Sequence, residues 1–377
     1  MMPIYLDHAS TTPVHPEVAT AMQEAMLNFT ANPSSTHSFG RAAKQKLESV
    51  RRACAASIGA NHKQIVFTSG GTEADNLAIF GAAAAQEKKG RHLITTAIEH
   101  HAVLRSFAAL EAEGWEVTYI RPDSNGFVSA HQVLAAVRPD TVLVSMMLAN
   151  NETGMMQPIP DIAQGLLNHE ALLHTDAVQA YTLLPIDVEA LGVDLMSVSA
   201  HKINGPGGVG FLYVKEPMNI QPRMFGGYQE RKHRAGTENM PGLCGLQKAV
   251  ELATKEDKLS KLAVLKEGFL EALKAEGIHF EINGDLANSL PSISNLYFPG
   301  VRSDQLLMNL DLEGVAASSG SACTAGTFEP SHVLMAMYPE NPERASQSIR
   351  FSFGHMMMQE EIQRAAQITA RIIRTRF

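Results

Sequence analysis

A lysine beside a glycine-rich turn is the first candidate for chemistry in this sequence. Lys202 ends the segment Ser199-Ala200-His201-Lys202, which follows a short apolar run and precedes the turn Gly205-Pro206-Gly207-Gly208. Partial burial lowers the pKa of a lysine, so that its free amine becomes a nucleophile that can form a Schiff base. The alternative is a solvated loop lysine, because most lysines in proteins are exposed. Taken by itself, this segment favours the solvated lysine.

Two polar turns that follow predicted strands are suited to charged ligands. The turn Ser69-Gly70-Gly71-Thr72 precedes a predicted helix, and its free N–H groups and hydroxyl could hold a phosphate. Asp176 ends an apolar strand, where a carboxylate costs free energy unless a cation or a donor, such as a protonated pyridine nitrogen, meets it. The alternatives are an ordinary turn with Thr72 near the helix cap and an aspartate that caps the segment Ala177-Val178-Gln179.

Three further polar residues lie in or beside predicted strands. One of the two histidines in Glu99-His100-His101 could lie against an aromatic ring, although a satisfied surface or core histidine is the more common case. Arg350 is the one charge in an alternating strand pattern and can hold a carboxylate through two parallel hydrogen bonds, although a structural ion pair is as common. Asn151 belongs to a polar turn that needs no function to explain it. The adjacent histidines His100 and His101 do not have the spacing of a metal site, and no metal is predicted.

The three cysteines differ in their surroundings. They are too few and too scattered for a disulfide framework or a cysteine-rich zinc site. Cys54 and Cys244 lie in helical apolar patterns and are interpreted as buried hydrophobic residues. Cys323 lies in the Ser/Gly-rich segment 317–326, which has no apolar periodicity, and this is a context typical of a reactive thiol. An incidental loop cysteine is the alternative.

The order of the predicted elements indicates an α/β fold. Apolar strands alternate with turns and helices from residue 64 to 175, which favours a mainly parallel sheet covered by helices on both faces. Ligands in such folds bind at the carboxyl ends of the strands. A charged helical stretch at 241–276 then precedes the short strands and helices of a smaller α+β domain. We predict a large domain at 16–257 and a small domain formed by 1–15 and 258–377.

Composition excludes several classes of protein. The chain has 377 residues, of which 45% are hydrophobic, so it can bury a substantial core. Its formal net charge of -8 argues against a nucleic-acid binder, which needs a basic surface. No segment resembles a signal peptide or approaches the roughly 18 apolar residues of a membrane span, so we expect a cytoplasmic protein that does not bind membranes. Its partners are expected to be small molecules or proteins.

Several short segments, weak one by one, are specific in their joint order. They are Tyr5-Leu6-Asp7-His8-Ala9 with Thr11-Thr12-Pro13, Asn32-Pro33-Ser34-Ser35 with His37, Phe67-Thr68-Ser69-Gly70-Gly71-Thr72-Glu73-Ala74-Asp75-Asn76, Glu99-His100, Asn150-Asn151-Glu152-Thr153-Gly154, His174-Thr175-Asp176-Ala177-Val178-Gln179, Ser199-Ala200-His201-Lys202, Arg234-Ala235-Gly236-Thr237-Glu238-Asn239 and Gly320-Ser321-Ala322-Cys323. Over nearly the whole chain, this order resembles that of the cysteine desulfurases (NifS/IscS-like), pyridoxal-phosphate enzymes of the aminotransferase class V group. The resemblance implies the type I fold of pyridoxal-phosphate transferases.

The resemblance also implies roles for the residues at the reacting centre. Lys202 would form a Schiff base with pyridoxal 5'-phosphate and later act as the base for the substrate. Asp176 would pair with the pyridinium nitrogen, His100 would stack on the cofactor ring, and Gln179 would contact its phenolic oxygen. Cys323, carried by the small domain, would be the nucleophile that takes the sulfur of L-cysteine as a persulfide, with L-alanine as the other product.

Further residues would hold the phosphate and the substrate. The implied phosphate contacts are Gly71, Thr72, Ser199, His201 and, from the second subunit of a homodimer, Thr237. Asn151 and Arg350 would bind the substrate carboxylate. The sulfur would pass to an acceptor protein, either an iron–sulfur scaffold or a thiolation enzyme.

Two departures from the family pattern and two rival functions stay open. Gly207 stands where the family often has a lysine. The short segment after Arg350 predicts no extended tail of the kind by which housekeeping members dock an iron–sulfur scaffold, so the acceptor is undecided. The rival enzyme is a selenocysteine lyase or another class V transaminase. The non-enzymatic rival is a sulfur-relay component that binds the cofactor without turnover.

Overall fold

A computed structural model of the chain describes residues 3–255, 257–320 and 330–377. Within these ranges the strands are β1 (Ile4–Tyr5), β2 (Ile65–Thr68), β3 (His92–Thr96), β4 (Glu116–Ile120), β5 (Thr141–Ser145), β6 (Leu172–Asp176), β7 (Leu195–Ser199), β8 (Gly210–Val214), β9 (Glu281–Ile282), β10 (Ile293–Tyr297), β11 (Val315–Ala316) and β12 (Ser348–Ser352). The α-helices are α1 (Pro16–Asn28), α2 (Ser38–Ala56), α3 (Gly71–Gln86), α4 (His101–Ala112), α5 (Ala130–Ala135), α6 (Ile159–Gly165), α7 (Val188–Leu191), α8 (Met240–Ala253), α9 (Lys258–Ala275), α10 (Ser303–Leu312), α11 (His332–Met337), α12 (Glu343–Ser346) and α13 (Gln359–Arg376). In the same ranges, we find no helix with the length and apolar character needed to cross a membrane.

The large sheet is mainly parallel, as predicted. Its strand order is β2-β8-β7-β6-β5-β3-β4. The pairs from β7 to β4 are all parallel, and β8 alone runs antiparallel to both of its neighbours. Parallel strands place their carboxyl ends at one edge of a sheet, which is where ligands bind in such folds. The ends of β6 and β7, at Asp176 and Ser199, therefore lie side by side.

Helices cover both faces of this sheet, which explains why its central strands carry almost no polar alternation. Every residue of β5, β6, β7 and β8 is buried. In β8, Phe211 and Tyr213 join an apolar cluster with α1, α2 and α8, whereas Leu212 and Val214 join a second cluster with α3 and α4. Successive side chains of a strand point to opposite faces, so both faces need an apolar partner.

A separate apolar cluster lies around the smaller sheets. Strand β10 pairs antiparallel with β12 and β9, and β1 pairs parallel with β11. The buried members of this cluster come from residues 262–372, together with Ile4 and Leu6 of the N-terminal segment. The stretch predicted to be helical at 241–276 contains two helices, α8 and α9, and the division falls in its charged part, which the sequence suggests as a connection between domains. Asp257 ends the connection by accepting a hydrogen bond from the backbone N–H of Ser260 at 3.1 Å, which caps α9.

A buried ion pair fixes the segment that follows β8. Arg51 of α2 donates to both carboxylate oxygens of Glu230, at 2.7 and 2.8 Å, and each side chain is 3% exposed. The same carboxylate accepts the backbone N–H of Phe67 at 2.9 Å. Glu230, Arg231 and Lys232 have φ angles of 45°, 54° and 74°, a left-handed conformation that costs about 1–2 kcal/mol per residue. The ion pair holds this strained segment beside β2 and its glycine turn.

We expect Glu230→Ala to lower the free energy of unfolding by about 3–5 kcal/mol, because it leaves the Arg51 guanidinium buried without its bidentate partner. The matched control is Glu313→Ala, whose ion pair with Arg371 is 45% and 56% exposed on the two sides. Such exposed pairs contribute only about 0–1 kcal/mol. Urea unfolding followed by circular dichroism measures both losses. Equal losses in the two variants would contradict the stabilising role of the buried pair.

Candidate active site

A cavity of about 440 Å³ lies at the carboxyl edge of the large sheet. Most of the residues singled out in the sequence line it: Gly71, Thr72, His100, Asn151, Asp176, Gln179, Ser199, His201, Lys202 and Arg350. Thr237 lines a smaller cavity of about 90 Å³, which shares Ser69 and Gly208 with the larger one. Cys323 lies outside the described residues. The structure thus brings the predicted residues together, while the role of each stays a prediction.

Lys202 is partly buried rather than a solvated loop residue. It ends a single 3-10 turn, Ala200–Lys202, that follows β7 directly. Its ammonium donates to the backbone carbonyl of Ser10 at 2.6 Å and to that of Ala9. A Cβ added at Gly207, where the family often has a lysine, would meet no atom within 4 Å. The glycine at this position is therefore not required by packing, and it leaves open space beside Lys202.

The first turn of α3 forms an anion-binding surface at one end of the cavity. Gly70 precedes the helix with φ of 147°, and no side chain of the described residues caps the helix N-terminus. The residues Ser69 to Thr72 line the cavity. A Cβ at Gly71 would lie 2.8 Å from Cγ2 of Val178, so only glycine fits without a shift. Uncapped N–H groups and the positive end of the helix dipole favour a bound anion such as a phosphate.

Asp176 combines a capping role with a place in the cavity. One carboxylate oxygen accepts the backbone N–H of Val178 at 2.9 Å, which is the capping contact considered as the alternative from the sequence. The residue is only 7% exposed. Burial raises the pKa of Asp176 to about 6, although the Val178 N–H and the charge of Lys202 act in the opposite direction. A cation placed against this carboxylate would restore its usual acidity.

His100 is an uncharged ring at the cavity wall. Its Nδ1 accepts the backbone N–H of Ala102 at 3.1 Å and so caps α4. Burial lowers the pKa of His100 to about 4, and the charge of Lys202 lowers it further in the same direction. With Nδ1 acting as an acceptor, the proton of the neutral ring is on Nε2. A neutral, fixed imidazole is suited to lie flat against another ring.

The N-terminal segment positions two more of the predicted side chains. Gln179 donates from Nε2 to the backbone carbonyl of Ala9 at 2.9 Å. The Nδ1 atom of His201 lies 3.1 Å from the hydroxyl of Thr11. Burial lowers the pKa of His201 to about 4, so this ring is also neutral at pH 7. Both side chains are therefore oriented by a segment far away in the sequence.

Arg350 is paired within the protein and also lines the cavity. It donates to the carboxylate of Asp7 at 2.7 Å and to the backbone carbonyl of Asn151 at 2.9 Å. Its Nε and the side-chain oxygen of Asn151 are both buried and have no hydrogen-bond partner among the described residues. Buried polar atoms of this kind ordinarily have a partner, so they point to a ligand or ordered water here. Both the ion-pair and the ligand-binding interpretations of Arg350 therefore remain compatible with the structure.

Sequence reasoning gave no role to a polar layer beneath the cavity. His174 is fully buried, with Nδ1 2.8 Å from the hydroxyl of Ser145 and Nε2 3.0 Å from that of Ser197. Asp75 lines the cavity and lies 3.7 Å from His174 Nε2. Burial raises the pKa of Asp75, and the charge of Asp176 adds to that effect. In the sequence, the signal for this layer is a histidine, His174, and an aspartate, Asp75, within the otherwise largely apolar elements β6 and α3.

We expect the stability contributed by His174 to fall as the pH decreases. Burial lowers the pKa of His174 to about 3, whereas an unfolded chain has a histidine pKa of about 6.5. Between these values the unfolded state binds a proton that the folded state does not, so stability is lost below pH 6.5. The stability advantage of the wild type over His174→Gln should shrink by about 2 kcal/mol between pH 7 and pH 5.

Urea unfolding at pH 7, 6 and 5 measures this difference. The control is His131→Gln on the exposed surface of α5, which should leave the pH dependence of the wild type unchanged. A stability difference between wild type and His174→Gln that is constant over this range would contradict the prediction.

Comparison with known proteins gives the family. The aminotransferase class-V profile matches residues 4–365. A Bacillus subtilis (strain 168) protein named putative cysteine desulfurase IscS 1 is 52% identical over 373 residues, which cover 98% of either chain. A Dictyoglomus turgidum protein named cysteine desulfurase IscS is 44% identical over 372 residues, 98% of this chain and 94% of the relative.

Solved structures give the same result. One named NifS-like protein superposes with a TM-score of 0.92 at 34% identity and covers 99% of this chain and 100% of its own. Another, named SspA in complex with cysteine, has a TM-score of 0.83 at 36% identity and covers 93% and 98% of the two chains.

The fold and the cavity define an α/β enzyme with a polar cavity at the carboxyl ends of a mainly parallel sheet. The chain belongs to the aminotransferase class-V family. This confirms both the resemblance and the fold class predicted from the sequence.

Proposed function

We propose that this chain is a cysteine desulfurase, which removes the sulfur of L-cysteine and leaves L-alanine. The observation that carries the proposal is that Lys202, Asp176, Arg350 and the N-terminus of α3 line one cavity. An amine, a buried acid, a guanidinium and an anion-binding helix end are the groups that an amino-acid substrate and a phosphorylated cofactor require. Relatives named cysteine desulfurase, at up to 52% identity, support the choice of reaction.

The residues around the cavity fit pyridoxal 5'-phosphate. Its phosphate would lie at the N-terminus of α3, where Gly71 lines the cavity and packs against Val178 too closely for a Cβ. The hydroxyls of Thr72 and Ser199 and the ring of His201 would add hydrogen bonds. Its ring nitrogen would face Asp176, since a protonated nitrogen would stabilise the charged form of this buried carboxylate. We propose the same contacts for His100 and Gln179 that the resemblance implies.

The side chains of this chain would then divide the work of the reaction. When bound, the cofactor supplies an electron sink for the negative charge left by loss of the substrate α-proton. Lys202 would take that proton, since its amine lines the same cavity as the residues that would hold the cofactor and the substrate, Asp176 and Arg350. The guanidinium of Arg350 and the amide of Asn151 would hold the substrate carboxylate and so orient the α-carbon.

Cys323 would carry out the sulfur transfer. Its thiolate attacks the sulfur of the substrate, so that an S–S bond forms and the C–S bond breaks. The electron pair of the broken bond stays on the three-carbon fragment, which takes up one proton at its β-carbon, regains the α-proton from Lys202 and leaves as alanine. The persulfide on Cys323 would then pass its outer sulfur to an acceptor protein.

Several finer points stay predictions. We propose a homodimer in which Thr237 of one subunit completes the phosphate site of the other. We also propose the division into a large domain at 16–257 and a small domain at 1–15 and 258–377. The sulfur acceptor and the cytoplasmic location stay predictions as well.

The direct test is to incubate the purified protein with cysteine and to measure alanine and persulfide, with and without candidate acceptor proteins. We expect both products in equal amounts during the first turnover. Selenocysteine in place of cysteine tests the rival lyase, and 2-oxo acids test a transaminase. Bound cofactor without alanine would favour the sulfur-relay component.

We expect Cys323→Ala to keep its bound, coloured cofactor and to lose persulfide formation and sulfide release, because the variant lacks the attacking thiolate. Absorbance spectra and a cysteine turnover assay measure the two properties. The matched control is Cys244→Ala, since Cys244 is buried in α8 and is 4% exposed. Undiminished turnover in Cys323→Ala would refute the assignment of the nucleophile.

We expect Lys202→Ala to lose the covalent attachment of pyridoxal phosphate, because its amine is the only proposed attachment point. Borohydride reduction followed by peptide mass spectrometry detects the attached group. Lys266→Ala is a suitable control, because Lys266 is also buried and burial lowers its pKa to about 8, yet it lies on α9 outside the cavity. A reduced adduct on another lysine, or an unchanged visible spectrum, would overturn the assignment.

A further inference from the structure

Glu152 contacts one described residue on each side of the segment 321–329, namely Gly320 and Ser331. The hydroxyl of Ser331 donates to the Oε2 atom of Glu152. Gly320, with φ of 96°, packs so closely on that oxygen that a Cβ at this position would overlap it. Glu152 is 1% exposed and Ser331 is also 1% exposed. One buried carboxylate is therefore the meeting point of the chain before and after the segment that contains Cys323.

The same carboxylate belongs to the turn that lines the cavity. Glu152 directly follows Asn151, whose carbonyl accepts from the Arg350 guanidinium at 2.9 Å. Backbone bonds at 2.7 and 3.2 Å join Arg350 to Ser318, and the hydroxyl of Ser318 accepts the N–H of Gly320 at 3.2 Å. Two independent connections thus link Gly320 to the proposed substrate-carboxylate site.

An acid is a costly residue at this buried position. In the described part of the chain Glu152 forms no ion pair within 4 Å, and burying a carboxylate costs free energy. Burial raises the pKa of Glu152, while the Ser331 hydroxyl and the charges of Arg350 and His101 act against that shift. Its hydrogen bond to Ser331 and its packing against Gly320 make Glu152 a candidate for a positioning role.

We propose that Glu152 is a positioning residue for sulfur transfer, because it holds Gly320 and Ser331 in a fixed relation to Asn151 and Arg350. Through these contacts it fixes the two described residues on either side of the segment that contains Cys323 relative to the proposed substrate-carboxylate site. The inference rests on the proposed desulfurase function. It assigns Glu152 no direct contact with substrate or cofactor.

The test compares Glu152→Ala and Glu152→Gln with the wild type in single-turnover persulfide formation and in steady-state kinetics. In Glu152→Ala we expect kcat to fall by roughly 10- to 100-fold, since a misplacement of about 1 Å has that effect. Cofactor content and the KM for cysteine should stay within about twofold. Glu152→Gln should recover at least half of the loss on a logarithmic scale, because an amide oxygen still accepts from Ser331. A kcat of Glu152→Ala within twofold of the wild type would overturn the proposal.

A second set of variants perturbs the same contact from its other partners. Gly320→Ala adds a Cβ that would overlap the carboxylate of Glu152, and Ser331→Ala removes the hydroxyl that donates to it. Both variants should therefore lower kcat as Glu152→Ala does. The hydroxyl of Ser331 also accepts the backbone N–H of Leu334 at 3.1 Å and so caps α11. The matched control is Ser129→Ala, which removes the N-terminal cap of α5. Helix α5 has six residues, as α11 does. Loss of kcat in the Ser129 variant equal to that in the Ser331 variant would overturn the proposal.

Alkylation separates failure of this inference from failure of the proposed function. The rate at which iodoacetamide modifies Cys323, read by peptide mass spectrometry without cysteine present, needs no turnover. We expect at least a threefold faster reaction in Glu152→Ala and Ser331→Ala, and no change in Ser129→Ala. An unchanged rate in the first two would refute the positioning role. A wild-type protein that makes neither alanine nor persulfide would instead refute the desulfurase function.

Discussion

Hydrogen bonds from residues 7–12 join the region of the smaller sheets to the edge of the large sheet, and the geometry of the site depends on them. Asp7 pairs with Arg350 on β12, in the region of the smaller sheets, at 2.7 Å. Two residues later, the carbonyl of Ala9 accepts from Lys202, at the edge of the large sheet. Because a residue spans at most about 3.6 Å of chain, this short segment limits how far the guanidinium can lie from the amine. The backbone from Asp7 to Ala9 therefore limits the distance between the proposed substrate-carboxylate site and the proposed cofactor site.

Burial gives the cavity a defined charge pattern. It keeps His100 and His201 neutral, with a pKa of about 4 for each, so the positive charge near the ligand comes from Lys202, Arg350 and the α3 dipole. Burial also raises the pKa of Asp176 to about 6. A protonated ring nitrogen would reverse that shift, whereas additional charged histidines would repel it. The neutral histidines can thus donate hydrogen bonds without opposing the cation that Asp176 favours.

Local pattern predicted the fold class and most of the cavity, because parallel strands bring the turns after them to one edge. The pairing of Asp7 with Arg350 could not be predicted, since these residues are 343 positions apart and no periodicity reports such a contact. The same is true of Glu152, whose partner Ser331 is 179 positions away. The division between α8 and α9 falls in the charged part of the stretch 241–276, where Asp257 caps α9.

The structural and functional interpretations of these polar residues do not exclude one another. Asp176 accepts from Val178 and His100 caps α4, yet both line the cavity. A hydrogen bond that satisfies a buried group also fixes its orientation, which a ligand site requires. Replacement by alanine removes both contributions and cannot separate them. Asparagine at position 176 keeps an oxygen that can accept the Val178 N–H but removes the charge, so it isolates the electrostatic role from the capping role.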